Sequence, residues 1–359
     1  MPAPRPQRKS PPPAPLPIGT RLGSFELRGV LGLGQYGYGY RVWDLESENE
    51  YAVKEYLPAD LARREGATQV LPRRIEDEER FAQGLRAFLD EGKFLSRVRD
   101  PGLVTVYGSW EENGSAYMAM DLVAGRNLKE TMQARGRPPR EPALRALLQP
   151  LLAAVDALHR AGLEHRDIAL SSIVIGPDHR PVLMDLGSPR RLAAARGDPG
   201  PSGPREGFAP PEMYATGAAL QRGPWTDVYG LGAVLHCLMV GKPPAPAPLR
   251  VNGAAALTWP EAVLRRHSLE FLAVVEWMLA PQPRDRPQDI GAVRAALSDP
   301  GHLPEHLRPG WRQRLTLRLR QHKRPLRLLG TLLLLAAAAL VLWRLRQAGL
   351  LPDFALPTG

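Results

Sequence analysis

The strongest constraint on what this chain can fold into is a change of pattern near residue 124. Between Leu22 and Val123 the sequence runs in short β-rich stretches. "SFELRGVLGLGQYGYGYRVWD" reads as two strands about a glycine-rich turn, and "YAVKEYL" as a third. "LVTVYGSW" and "AYMAMDLV" read as two more about the turn "EENGS". One helical stripe interrupts them, with Phe81, Leu85, Phe88, Leu89, Leu95 and Val98 along one face of residues 77–98. Past Gly125 the strands nearly stop, and Ala/Leu-rich segments at 141–162, 226–240 and 268–280 predict helices. The pattern predicts an α+β chain of two unequal lobes, a strand-rich N-lobe over 22–123 and a helical C-lobe over 124–298. The stretch "PADLARREGATQVLPRRIEDEE" before the helical stripe reads as an inserted regulatory segment, or as a charged loop and a helix start.

The formal net charge of +10 belongs to the ends of the chain. Residues 1–21 hold four Lys/Arg and residues 308–327 hold eight, with no acid in either, so the body between is slightly acidic. A nucleic-acid reader carries its charge on the folded domain, and no nucleic-acid partner is expected. Residues 1–21 are Pro-rich and read as a disordered arm without the regions of a signal peptide. The single cysteine, Cys237, leaves no disulfide framework and suits a reducing compartment. Within "YGLGAVLHCLMVG" it reads as a small buried hydrophobe.

Residues 328–343, "LLGTLLLLAAAALVLW", contain no charge. A helix of that length reaches roughly 24 Å at ~1.5 Å per residue. That is short of a ~30 Å hydrocarbon core, unless Arg327 and Arg344 reach outward. The run follows a finished domain and is bracketed by arginines, which favours a transmembrane helix over a buried core helix. Eight of the ten Lys/Arg between 308 and 346 precede it. The positive-inside rule then places the body in the cytoplasm and the short tail 344–359 outside, a single pass through the inner or plasma membrane. Residues 299–327 form a basic juxtamembrane linker. Its Trp311, Leu315 and Leu319 suit an interfacial helix on anionic lipid or a plain charged linker.

Four elements carry chemistry. The loop Gly32-Leu33-Gly34-Gln35-Tyr36-Gly37 lies between two strands. That position argues for a hairpin covering phosphates and against a dinucleotide-binding turn. Lys54 follows Gly37 by seventeen residues on the third strand. A lysine on an inward strand face needs an anion; phosphates supply one, and Glu91 of the helical stripe is the carboxylate to hold it ready. Asp167 in "HRD" is placed to accept a hydroxyl proton. Asp185 in "MDLG" is placed to hold Mg²⁺, which needs only one or two carboxylates beside phosphate oxygens and waters. The apolar flanks "SIVI" and "PVLM" read as short strands that fix both acids.

The ordered set "GLGQYG", "AVK", Glu91, "MAMDLV", "HRD", "DLG", "PPE", "TDVYGLGAVL" and "RDRP" resembles the Hanks-type (eukaryotic-like) Ser/Thr protein kinases over roughly residues 22–298. "AVKEYLP" and the cytoplasmic placement resemble the membrane-anchored bacterial members. The resemblance implies ATP and Mg²⁺ as cofactors and proteins as substrates. It implies that Leu31, Gly32, Gly34, Gly37 and Gly39 cover the nucleotide, that Lys54 holds its phosphates, and that Ala52 and Val174 sandwich adenine. Met120 would be the gatekeeper, with Asp121 to Val123 as the hinge. Asp167 would be the catalytic acid–base and Asp185 the metal ligand, with Ser172 beside it. Glu212 and Arg286 would brace the activation segment, and Asp227 would anchor the catalytic loop. Leu95, Val106, His165 and Leu186 would stack as an apolar spine.

The chain departs from that pattern in four places. Ala169 replaces a lysine that steadies the transferring phosphate, and Ser172 an asparagine that binds a second metal. Gly39 replaces a valine over adenine, and Arg205 a threonine near the catalytic acid. Each removes a positioning or electrostatic contribution, and phosphoryl transfer depends chiefly on such contributions. An enzyme weakened at Ala169 and Ser172 is the first reading. A catalytically silent nucleotide sensor or scaffold is the second, and a small-molecule kinase the third. Ser188 and Ser202 are the only hydroxyl residues of the segment 185–212, and a phosphorylated Ser202 would face Arg166.

Overall fold

The computed structural model describes residues 12–34, 36–185, 204–214 and 221–310, with isolated positions between 338 and 347. Strands β1 (Arg21–Leu22), β2 (Phe25–Leu33), β3 (Tyr38–Asp44) and β4 (Asn49–Glu55) follow one another in antiparallel pairs. A second hairpin, β5 (Ala62–Glu65) and β6 (Gln69–Pro72), comes before helix α1 (Glu78–Leu95). Strands β7 (Val106–Glu112) and β8 (Ser115–Asp121) then complete a six-stranded sheet in the order β1-β2-β3-β4-β8-β7. The inserted stretch after Lys54 is therefore a hairpin and a helix start.

Alternation along the strands gives this sheet two apolar faces. Ala52, Met118, Met120 and Val106 join the main core with Phe81, Phe88 and Leu95 of α1. Leu27, Tyr40, Val42, Val53 and Tyr117 point the other way and form a second core with Leu16 and Leu22. Residues 12–21 depart from the expected arm here. Leu16 is buried and its N–H donates to Tyr40 Oη at 3.0 Å, while Tyr38 Oη donates to the Pro13 carbonyl at 3.0 Å. The physical reason is the sheet's outer apolar face, which needs a cover and takes it from this segment.

The C-lobe opens with β9 (Arg126–Asn127) and α2 (Leu128–Arg135), where Asn127 and Glu130 make a reciprocal capping box and Gly136 closes the helix at φ 63°. Helix α3 (Glu141–Arg160) buries Leu144, Leu148, Leu151, Leu152, Val155 and Leu158, spaced as one helical face. Strands β10 (Ile173–Ile175) and β11 (Pro181–Leu183) pair antiparallel, as "SIVI" and "PVLM" imply, with β9 on the far side of β10. Helix α4 (Pro224–Val240) is buried on nearly every face, Cys237 included. Burial pushes the Cys237 thiol up to about 11, so it behaves as a packed hydrophobe. Short helices α5 (Ala247–Val251) and α6 (Glu261–Leu264) lead to α7 (Leu269–Met278), which packs on α4, and α8 (Ile290–Ser298), which packs on α3 and α7.

The lobes meet at 122–125 and again where Leu103 pairs with Leu183 of β11. The Leu183 N–H donates to the Gly102 carbonyl at 2.7 Å, and the Val104 N–H to the Leu183 carbonyl at 3.1 Å. This ties the N-lobe to the strand that leads into Asp185. No helix among the described residues is long and apolar enough to cross a membrane. The run 328–343, the Trp311–Leu319 pattern, and Leu186, Ser188 and Ser202 lie outside the described residues, a few isolated positions of the run excepted.

Candidate active site

The glycine loop is the turn between β2 and β3. Gly37 has a φ of 144°, and a Cβ there would lie 2.1 Å from the Glu55 carbonyl oxygen, so only glycine lets the loop return over β4. The Gly34 N–H donates to the Gly37 carbonyl at 2.8 Å. Nothing crowds a Cβ at Gly32, and one at Gly39 would meet Leu31 Cβ at 3.8 Å, ordinary contact. Space therefore demands glycine at Gly37 and leaves Gly32 and Gly39 free of that demand.

Lys54 pairs in register with Met118 of β8, so both side chains share the sheet face that looks toward α1. Gly92 brings α1 against that face; a Cβ on it would lie 2.5 Å from Ser109 and 3.3 Å from Met118 Cε. The same helical turn carries Glu91, which is buried. Across the cleft, Lys54 Nζ lies 3.7 Å from Asp185 Oδ1. The structure thus joins the lysine to the acid from "MDLG". Ala52 pairs with Met120 in register, and Val174 of β10 packs beside Gly125, bringing both proposed adenine walls to the seam between lobes. Between neighbouring strands, Tyr107 Oη of β7 donates to Asp121 Oδ1 of β8 at 2.6 Å; that bond and partial burial push the Tyr107 phenol up to about 12.

Asp167 sits on a loop held from beneath. Asp227, near the start of α4, accepts the His165 N–H at 2.8 Å and the Arg166 N–H at 2.6 Å, with His159 Nε2 at 2.9 Å from it. Burial alone would raise the Asp227 carboxyl; the His159 hydrogen bond and charge and the Arg166 N–H outweigh it and hold it low. This ring of donors supports a strained backbone, for Arg166 has φ 61°. A non-glycine residue there costs about 1–3 kcal/mol and persists only where its surroundings over-determine it. Asp185 has φ 58°, the same left-handed conformation.

His165 links the two acids. The Asp167 N–H donates to Nδ1 at 3.2 Å, which makes Nδ1 an acceptor, so Nε2 carries the proton and donates to the Met184 carbonyl at 2.8 Å. The Met184 N–H in turn donates to the Ser172 carbonyl at 2.7 Å. Among the spine residues, Leu95 and Val106 lie in the main core and His165 is buried.

Ser172 does not stand as a metal ligand would. Its hydroxyl is fully buried, accepts the Ala169 N–H at 2.9 Å and donates to the Ala169 carbonyl at 2.9 Å. It closes the 3-10 turn Leu170–Ser172 on itself, with its proton and one of its two acceptor positions engaged inside the turn. Asp185, by contrast, keeps 56% of its side chain exposed. One accessible carboxylate opposite a lysine fits Mg²⁺ held jointly with phosphate oxygens.

Two features went unread in the sequence. Asp167 is gripped by Arg205, whose Nε donates to Oδ1 at 3.0 Å and whose second nitrogen donates to Oδ2 at 2.9 Å. Position 205 drew notice only as a missing threonine; that an arginine beside an acid can pair with it was the available signal. The other is the Glu55–Arg64 pair on the outer face of the N-lobe, at 2.7 Å. Glu55 follows Lys54 directly, so strand alternation points it away from the cleft. Glu212 and Arg286 pair as the resemblance implies, at 2.6 and 3.0 Å with both side chains fully buried. A separate cavity of about 490 Å³, lined by Glu141, Arg145, Arg265, Arg266, His267 and Ser268, shares no residue with this constellation.

Comparisons with known proteins agree with this architecture. A family model described as protein kinase domain matches residues 25–300. The serine/threonine-protein kinase PknH of Mycobacterium bovis is 27% identical over 301 residues, covering 79% of this chain and 46% of that protein. The serine/threonine-protein kinase PknL of Mycobacterium tuberculosis is 30% identical over 248 residues, covering 67% of this chain and 60% of that protein. The chain spans about half the length of these curated relatives. Among solved structures, the apo form of PpkA-294 superposes with a TM-score of 0.69 at 37% identity, over 79% of this chain and 99% of that one. The PknI kinase domain of Mycobacterium tuberculosis gives 0.59 at 23% identity over 80% and 100%, a likeness of fold.

Proposed function

The chain belongs to the protein kinase family, and we propose that it is an active serine/threonine protein kinase held at a membrane by residues 328–343. The observation that carries the catalytic part is the placement of Lys54, Asp167 and Asp185. Lys54 and Asp185 face each other at 3.7 Å, and His165 ties the loop of Asp167 to the residue before Asp185. When bound, Mg²⁺-ATP supplies the γ-phosphoryl group and the metal charge that neutralises its oxygens. Lys54 binds the phosphates from the N-lobe side. Asp185 offers the carboxylate for the metal. Asp167 accepts the proton that a substrate hydroxyl gives up as its oxygen bonds phosphorus and ADP leaves. The glycine loop would cover the phosphates, and Ala52 and Val174 would wall the adenine.

The membrane part rests on the uncharged run between Arg327 and Arg344 and on the basic residues before it. With the positive-inside rule they support a cytoplasmic kinase domain acting on cytoplasmic proteins.

The test is transfer of labelled phosphate from Mg²⁺-ATP by the full chain to itself or to myelin basic protein, beside Asp167→Asn. The expected result is phosphoserine or phosphothreonine from the parent, reduced about 10²–10⁴-fold in the variant. Nucleotide-dependent melting with no transfer would instead make the chain a silent sensor. Transfer only to small metabolites would make it a small-molecule kinase.

A further inference from the structure

Asp167 has both carboxylate oxygens engaged by one side chain. Arg205 donates from Nε to Oδ1 and from a terminal nitrogen to Oδ2, at 3.0 and 2.9 Å, a two-pronged fork. Its other terminal nitrogen donates to Ser171 Oγ at 2.7 Å, so one guanidinium bridges the catalytic loop on either side of Ala169. Ala169 itself is buried and brings no charge. The neighbouring Arg166 has Nε turned to Glu164 at 2.6 Å, and Lys54 faces Asp185. Among the described residues, the cation paired with Asp167 is Arg205, which reaches it from a distant segment.

The position of that charge is informative. Burial works against the Arg205 guanidinium, yet the Asp167 hydrogen bonds and the charges of Asp167 and Asp185 hold its proton more tightly than usual. Its fork fixes it beside the acid placed to take the hydroxyl proton, where a phosphoryl group arriving at that hydroxyl would pass. Each carboxylate oxygen keeps a second acceptor site while bound to arginine, so the fork orients Asp167 without spending its capacity for a substrate hydroxyl.

Resting on the kinase reading above, we propose that Arg205 is a positioning residue for phosphoryl transfer, fixing Asp167 and supplying the positive charge that position 169 lacks. A lysine at 169 and an arginine at 205 are then alternative sources of one charge, and they should exchange.

The experiment measures kcat and KM for Mg²⁺-ATP, together with Tm, on the full chain and three variants: Arg205→Thr, Arg205→Lys, and Arg205→Thr combined with Ala169→Lys. Arg205→Thr is expected to lower kcat by about 10²-fold, the scale for losing one charge-stabilising donor, with KM for ATP near the parent value. Arg205→Lys keeps the charge but loses the fork and falls between. The double variant is expected to regain most of the lost kcat, an outcome that a merely structural arginine does not give. Unchanged kcat in Arg205→Thr would overturn the proposal, as would a fall that Ala169→Lys fails to reverse. A rise in kcat would overturn it too, showing that the arginine restrains Asp167. If neither parent nor any variant transfers phosphate, the kinase reading fails and this inference with it.

Discussion

Two buried arginine–glutamate pairs hold this molecule together, and they are built in opposite ways. Arg286–Glu212 in the C-lobe is organised around the cation. Besides Glu212, the guanidinium donates to the carbonyls of Ala280 at 2.7 Å and Pro281 at 2.8 Å, and it lies 4.9 Å over the Tyr229 ring. Glu55–Arg64 in the N-lobe is organised around the anion. Glu55 accepts two bonds from Arg64, one from Tyr40 at 2.7 Å and one from Tyr117 at 3.1 Å. Arg64 then reaches outward to the carbonyls of Ala14 and Thr68, each at 2.8 Å. The first pair fixes the 3-10 turn Pro211–Met213, six residues past Arg205. The second fastens an inserted hairpin and the N-terminal segment to the face of the sheet away from the cleft. One pair therefore serves the site and the lobe together, the other the lobe alone.

The comparison breaks most readily at its stronger end. Arg286→Met leaves Glu212 as a buried charge with Thr226 as its remaining hydrogen-bond donor, at 3.0 Å. The expected loss is about 3–5 kcal/mol, read from urea unfolding, with phosphoryl transfer abolished as the segment before Glu212 loses its brace. Arg64→Met is expected to cost less, about 2–3 kcal/mol, because Tyr40 and Tyr117 still donate to Glu55. Its folded fraction should transfer phosphate as the parent does. Loss of activity in the folded Arg64→Met protein would erase the distinction between the pairs.

A pH series sharpens the contrast more gently, since the C-lobe also buries a neutral histidine. Burial, with the charges of Arg250 and Lys242, lowers His236 from 6.5 to about 4 against the bond to the Lys242 carbonyl. A folded value below the unfolded one means that the unfolded chain binds more protons in between. Stability therefore falls as pH drops from about 6.5 toward 4. Between pH 6.5 and 4.5 the histidine contribution is on the order of 2 kcal/mol, and His236→Asn should flatten that part of the slope. An unchanged slope would assign the acid sensitivity elsewhere.

The same contrast marks what the sequence made legible. Asp167, Asp185, Asp227 and the Glu212–Arg286 pair could be named because each sits in a motif whose neighbours fix its role. Strands and helices were readable where apolar residues kept a period, as in α1 and α3. Glu55 and Arg64 had no such context. Their pairing depends on a hairpin folding back across β4, and nothing local to either residue announces it. Ser172 was less legible because a hydroxyl can bond its own turn as readily as a metal, and the bonds to Ala169 appear only in the fold. Arg205 was legible as a departure but not as a partner, since Asp167 lies 38 residues before it.

Leu16 carries a practical consequence for anyone cutting this protein into pieces. Family similarity begins at residue 25, yet the outer core of the N-lobe includes Leu16 and Leu22. A fragment trimmed to the similarity boundary would strip Leu16 and Leu22 from the cluster of Tyr40, Val42, Val53 and Tyr117 and bare part of that apolar face. Such a surface is sticky, and the fragment would be expected to clump or precipitate for reasons unrelated to its chemistry. Similarity marks where sequences are shared; the water-excluding edge of this lobe lies nine residues earlier, at Leu16.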